Sequence, residues 1–264
     1  MPFEKKASEH ERRAYDLFTR AGISIPSLLA YDEASQMLSL EDLRETYISG
    51  NDASEQVSVM LDAAADLHAT FWDNYDVFGQ VGLPWRLDNQ KNFRRHCNAM
   101  EKGIRPYCKA HKMDDAVFRQ ALAFFRAEMP KQQQMRFHAG KNITVIHGDL
   151  HPGNLLLPKA SGGPAVFIDL EAVRMGLGAE DLAMLLALHI APEKAQALPL
   201  LKRYYVRLCE KVQGYAFETL LEDYRIALAE ALFFPQKLYL VDASIDDPTM
   251  MRNAVAAWYS FSES

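Results

Sequence analysis

The sequence predicts an α+β fold with a small N-terminal part of mixed strand and helix and a larger, mostly helical remainder. Three observations predict it. Residues 8–21 carry a helical apolar stripe and are followed by two short strand-like runs. Residues 143–181 alternate apolar runs with tight polar turns: Ile143, Val145 and Ile146 lead into His147-Gly148-Asp149, and the run 165–168 ends in Asp169. Beyond Ala191, apolar stripes at helical spacing dominate.

With 264 residues, the chain has room for one large domain or two small lobes sharing an interface. Its 49% hydrophobic and 24% charged residues are an ordinary globular balance. A net charge of −6 argues against nucleic acid as a partner and is compatible with a cationic small substrate. Cys97, Cys108 and Cys209 are scattered and form no C-x-x-C, which reads as free thiols in a reducing compartment. No apolar run approaches a membrane span, and the N-terminus lacks the apolar core of a signal peptide. A soluble cytoplasmic protein without membrane association is expected.

Taken in order, the helix over 8–21 starts from Ser8 as N-cap with Glu11 three residues on, as in a capping box, and Gly22 ends it. Strand-like runs cover 27–31 and 37–40, joined by an Ala34-Ser35-Gln36 turn. Residues 55–73 form the clearest amphipathic helix, with Val57, Met60, Leu61, Ala64 and Leu67 on one face. His68 near its end reads as a packed histidine bonded to a carboxylate or carbonyl, in preference to a substrate contact. A loop-like stretch over 74–92 gathers Trp72, Tyr75, Phe78 and Trp85, read equally as a pocket lining or as aromatic core. Helices are expected over 92–110 and 114–135, the second with Pro130 near its end. After the central stretch, 192–212 and 219–240 read as helices, and the tail from Trp258 as frayed. Glu218, Glu222 and Asp223 read either as a cation-binding group or as a solvated helix face.

The chemistry lies in 143–181. Phosphoryl transfer needs a carboxylate near the attacking hydroxyl and oxygen ligands that hold Mg²⁺ on the phosphates. Asp149 supplies the first. Asn154 and Asp169 supply the second, since Mg²⁺ takes hard oxygen ligands and keeps some waters. Pro152 and Gly153 fix a tight turn between base and asparagine. His147 reads as a structural hydrogen-bonder. His151 points toward the substrate with its role open, Glu171 reads as solvated, and Asp181 reads as the N-cap of the helix that follows it.

His147-Gly148-Asp149, Asn154 and Ile168-Asp169 resemble the H-G-D-x-x-x-x-N loop and the I-D strand of the aminoglycoside phosphotransferase and choline kinase family, relatives of the protein kinases. Leu67-His68, Asp181-Leu182-Ala183 and the order helix, Gly22-Ile23, Pro26, two strands also resemble it. The resemblance implies a protein-kinase-like two-lobe α+β fold, with a reduced N-lobe and hinge over 1–43 and a largely helical C-lobe over 44–264. It implies ATP and Mg²⁺ as cofactors and a small hydroxylated acceptor: an aminoglycoside, a choline-like amino alcohol, a sugar or another metabolite. It makes Glu11 the helix glutamate that pairs with a phosphate-holding lysine, a role a capping-box partner can share. It makes Leu40, Glu41, Asp42 and Leu43 the hinge against adenine, and Asp181 a brace for the catalytic loop, compatible with capping. C-terminal helices would wall the acceptor pocket.

The sequence also departs from that family. Only seven residues precede Ser8, with no glycine for a phosphate-covering hairpin. Lys5 and Lys6 lie too close to Glu11 to sit on a separate earlier strand, so neither is assigned as the phosphate lysine. The chain then reads as a fragment, a mis-started frame or a short protein. The alternative function is accordingly a truncated pseudokinase or a nucleotide- or small-molecule-binding module. Phosphotransfer is preferred, because a chain freed from catalysis has no chemical need for Asp149, Asn154 and Asp169 together. An exposed sheet edge in a truncated lobe makes a homodimer the expected assembly.

Overall fold

The computed structural model describes residues 2–74, 76–77, 90–139, 141–160 and 162–262. Its N-terminal sheet has three antiparallel strands: β1 (Phe3–Lys6), β2 (Leu28–Asp32) and β3 (Met37–Leu40), in the order β1-β3-β2. β3 alternates with period two, burying Leu38 and Leu40. Helix α1 (Glu9–Ala21) begins where the Ser8 hydroxyl accepts from the Glu11 N–H at 3.2 Å, and ends at Gly22 with φ +71°. It packs its buried face (Ala14, Tyr15, Leu17, Phe18) into the core and lies on the turn 170–172.

Two further small sheets place the central stretch. One joins β4 (Tyr47–Ser49), β6 (Leu155–Pro158) and β7 (Val166–Phe167); the other pairs β5 (Thr144–Ile146) with β8 (Arg174–Gly176). The chain crosses from the β5–β8 pair to the other sheet through 147–154 and crosses back through 168–173. Asp149 and Asp169 therefore ride on two linkers spanning the same gap. These are stitched by Ile168 N–H to the Asn154 carbonyl (3.0 Å) and by His147 Nε2 to the Ile168 carbonyl (2.9 Å). The start of β5 is pinned to the end of the preceding helix, α2 (Val57–Thr70), by reciprocal bonds between Asp73 and Ile143.

The remainder is helical: α3 (Gln90–His111), α4 (Ala116–Ala139), α5 (Gly178–Leu182) continuing as a wider turn over 183–190, α6 (Lys194–Cys209), α7 (Phe217–Ala231), α8 (Phe234–Val241) and α9 (Pro248–Ser262). α4 runs through Pro130 to Ala139, past the expected end at 135, because tertiary packing against α7 outweighs the lost hydrogen bond. Among the described residues no helix is long and apolar enough to cross a membrane.

A buried ion pair joins these helices. Arg136 donates to Asp223 (2.5 Å), to the Asn142 carbonyl (3.0 Å) and to Gln132 (3.1 Å), and Tyr215 donates to the other Asp223 oxygen (2.7 Å). Asp223 is thus committed to the core and does not serve a cationic substrate, while Glu218 and Glu222 lie on the exposed face. Burial pushes the Asp223 carboxyl up to about 6, with Arg136 and Tyr215 offsetting only part of it. The folded protein therefore holds this proton more tightly than the unfolded chain, where a carboxyl titrates near 4. The group's contribution to stability is full below about pH 4 and lost as the pH rises through 6. Asp223→Asn is expected to flatten that part of the stability profile, measured as denaturation midpoints across the window; an unaltered slope would assign it elsewhere.

Candidate active site

The loop after β5 is shaped by backbone that only certain residues adopt. Gly148 sits at φ +80°, and a Cβ there would meet the Ala172 carbonyl oxygen at 2.2 Å, so the opposing linker approaches closely only because no side chain intervenes. Asp149 follows. Asn154 turns its Nδ2 back onto the Asp149 carbonyl (2.8 Å) and lies 3.3 Å from Asp149 Oδ2. With its nitrogen so engaged, the asparagine has Oδ1 left as an acceptor. Asp169 adopts φ +60°, ψ 65°, a left-handed conformation that few residues besides glycine, asparagine and aspartate adopt, and its carboxylate is half-exposed.

Asp181 secures the loop from beneath. It is fully buried inside α5, not at its start, so it does not cap that helix: helix formation begins three residues earlier at Gly178, and Glu180 meets the Leu177 N–H instead. Its two oxygens accept from the His147 and Gly148 N–H groups, both at 2.8 Å, and from His68 Nε2 at 3.1 Å. His68, fully buried, meets the Tyr204 hydroxyl at 2.8 Å through its other nitrogen. Burial raises the carboxyl pKa of Asp181, but His68, His147 and the Gly148 N–H outweigh it and hold the group below its ordinary value. His147 is buried and contacts only structure; Glu171 is exposed. His151 accepts from the Gly153 N–H (3.1 Å), lies 3.9 Å from Asp149 and stands beside the His189 ring. Burial lowers the pKa of both imidazoles, that of His189 to about 4.

The N-terminal lysines overturn the expectation drawn from their spacing. Two residues, Ala7 and Ser8, suffice to turn from β1 into α1, and the strand places Lys5 Nζ 2.8 Å from both Glu11 Oε1 and Asp169 Oδ1. Glu11 does not reach back to Ser8 as a full capping box would; it takes Lys5 and the Leu170 N–H (3.2 Å). Burial pulls the Lys5 ammonium down, yet its bonds to Asp169 and Glu11 leave it above the ordinary lysine value. Burial likewise pushes Glu11 up, against the pull of Lys5. Tyr15, one turn beyond Glu11, is buried with its hydroxyl unpartnered near both carboxylates. The signal for Lys5 was present: a capping pair that fixes a helix start at residue 9 leaves 3–6 free to be a strand, and β3 needs a partner on that side.

At 40–43 the side chain of Leu40 is buried and Glu41 is exposed. The Glu41 N–H binds the Ser27 carbonyl (2.9 Å), and the Leu43 carbonyl accepts from Thr46 and Tyr47. Asp42 is clamped by Arg44, which holds its carboxyl well below the usual range. Among the described residues nothing takes the Glu41 carbonyl or the Leu43 N–H.

On the other side of Asp149 lies a cavity of about 780 Å³, walled by α3, α7 and α8. Of the aromatic residues gathered around 72–85, Tyr75, Phe78 and Trp85 lie outside the described residues, and half-buried Trp72 packs on Tyr215. Among the described residues, no group of three or more His, Cys, Asp or Glu side chains could hold a metal by itself. Mg²⁺ does not require one when phosphates complete its shell, and Asn154 and Asp169 carry oxygen donors of the kind it takes.

A family model described as the phosphotransferase enzyme family matches residues 2–218 of the chain. No curated protein matches the sequence significantly. Among solved structures, the chain is similar to an ethanolamine kinase of Plasmodium vivax (10% identity, covering 96% of this chain and 71% of that one, TM-score 0.59). It is similar to the choline kinase LicA of Streptococcus pneumoniae (12%, 99% and 85%, 0.58). It is also similar to the macrolide 2′-phosphotransferase MphH of Brachybacterium faecium (13%, 94% and 78%, 0.59). At such identities the likeness is one of fold, and the fold is kinase-like. With the match over residues 2–218, the chain belongs to the phosphotransferase enzyme family.

Proposed function

We propose that this small-molecule phosphotransferase moves the γ-phosphoryl group of ATP to a hydroxyl of its acceptor. The observation that carries the reading is Lys5, held 2.8 Å from both Glu11 and Asp169. A cation fixed by a helix glutamate beside a left-handed aspartate is an arrangement suited to the charge of a triphosphate. It also removes the missing lysine as a reason to expect a pseudokinase. The Glu41 carbonyl and the Leu43 N–H match the edge of adenine, whose N6 donates and whose N1 accepts. The relatives support a nucleotide in general: LicA is known with AMP and aminoglycoside 2′-phosphotransferase-IIIa with GDP.

In this reading Asp149 orients the acceptor hydroxyl and takes its proton. The acceptor oxygen bonds to the γ-phosphorus as the bond to the bridging oxygen breaks, and ADP leaves. Asn154 and Asp169 would hold Mg²⁺, which when bound would supply neutralisation of charge on the phosphates. Lys5, kept in place by Glu11, would share its N–H donors between Asp169 and the phosphates, and the brace from Asp181 through His147 and Gly148 keeps Asp149 aligned.

A ligand that binds only the folded state raises the melting temperature. ATP with Mg²⁺ is expected to do so, neither alone giving the full shift, and Asp169→Ala is expected to erase the dependence on Mg²⁺. Lys5→Met should weaken nucleotide binding by about 10- to 100-fold, the worth of one or two charged hydrogen bonds. No shift at millimolar nucleotide would sink the proposal.

A further inference from the structure

The cavity beside Asp149 is large for the smallest acceptors of the class. Its volume of about 780 Å³ lies in the range that encloses drug-sized ligands, and an amino alcohol would leave most of it empty. Met100, Met184, Ala227, Ala231, Phe233 and Leu238 make its walls apolar. The acids among its lining residues, Asp149 aside, are already engaged. Glu180 is bound by Arg174 at 2.6 Å and by the Leu177 N–H, Glu230 lies 3.0 Å from His96 Nε2, and Asp181 holds the loop. Lys237, an exposed cation, also stands among the described lining residues. At the margin Leu240 and Val241 are 46% and 77% exposed and carry the apolar lining out to the surface.

We infer that the acceptor is a bulky, largely apolar alcohol, which buries its carbon skeleton against α3, α7 and α8 and presents its hydroxyl to Asp149. The inference rests on the phosphotransfer reading of the same site, and the balance of bonds and protons is the one given there.

The test is calorimetry of the full chain, without nucleotide, against farnesol and estradiol as apolar alcohols and against choline and kanamycin as cationic ones. The apolar alcohols are expected to bind, and the double variant Leu240→Asp, Val241→Asp to weaken them by about tenfold or more, since it sets charge where carbon must slide. Both positions are exposed, so the fold should tolerate the change. Tighter binding of choline or kanamycin, binding of neither apolar alcohol, or binding indifferent to the double variant would each overturn the inference. The melting shift with Mg²⁺ and ATP is read separately on the same protein. An alcohol that binds where ATP does not leaves the pocket assignment standing and removes phosphotransfer; ATP binding without either alcohol does the reverse.

Discussion

Asp149→Asn is expected to lower the rate of acceptor phosphorylation by about 100- to 10,000-fold while leaving the Mg²⁺- and ATP-dependent melting shift unchanged. The substitution is nearly isosteric, so the loop should hold. Asn154 Nδ2 donates chiefly to the Asp149 backbone carbonyl (2.8 Å), which the variant keeps, and the neighbouring N–H groups of His147 and Gly148 remain on Asp181. What is lost is a carboxylate able to orient the hydroxyl and receive its proton. The measurement is ADP release that depends on the acceptor, set beside nucleotide affinity from melting curves. A rate within threefold of the parent would remove Asp149 from the chemistry. A parallel loss of nucleotide binding would instead mean that the loop had collapsed.

Asp181→Ala is expected to cost about 3–5 kcal/mol of stability, the scale for removing one partner of a buried charged cluster. Three groups lose their acceptor at once: the His147 N–H, the Gly148 N–H and His68 Nε2. Each is buried or partly so, and an unsatisfied buried donor pays its desolvation in full. The check is guanidinium unfolding of parent and variant; a difference below about 1 kcal/mol would mean that water or a shifted loop replaces the carboxylate. Asp181→Asn, which keeps one good acceptor, should lose less. Acid should mimic the mutation. Because the folded state holds this carboxyl below its ordinary value, its stabilisation is present above about pH 4 and is lost as pH falls through the lowered folded value. This is opposite in sign to Asp223, so the two groups shape different limbs of one pH profile.

The parts legible in the sequence were those specified by near neighbours. Ser8, Glu11 and Gly22 marked the ends of α1 because capping is a contact across three or four residues. β3 was read over its full span because alternation of Leu38 and Leu40 is a property of the strand itself. The loop from His147 to Asn154 and the linker aspartate were legible for the same reason: the turn chemistry of Gly148, Pro152 and Gly153 is local. His68 was read as a packed histidine, and it is one.

What the tertiary structure decided was which distant groups meet. Lys5 lies 164 residues from Asp169 in the chain, and no spacing rule brings them together; that took β1 pairing with β3 and α1 settling on the turn after Asp169. Asp181 looked like a helix cap because an aspartate ahead of an apolar run usually is one. Only the fold showed that the helix starts earlier; the contact of the carboxylate with the loop 33 residues upstream was implied by the family resemblance and not by local pattern. Asp223 read equally as a cation binder or a solvated acid, and neither holds, because Arg136, 87 residues away, lies against it in the core. The acceptor cavity belongs to three helices that are unremarkable singly. Local pattern records what a residue prefers among its neighbours, whereas charge pairing and cavity shape depend on which elements pack together, and that is settled by burial of the whole core.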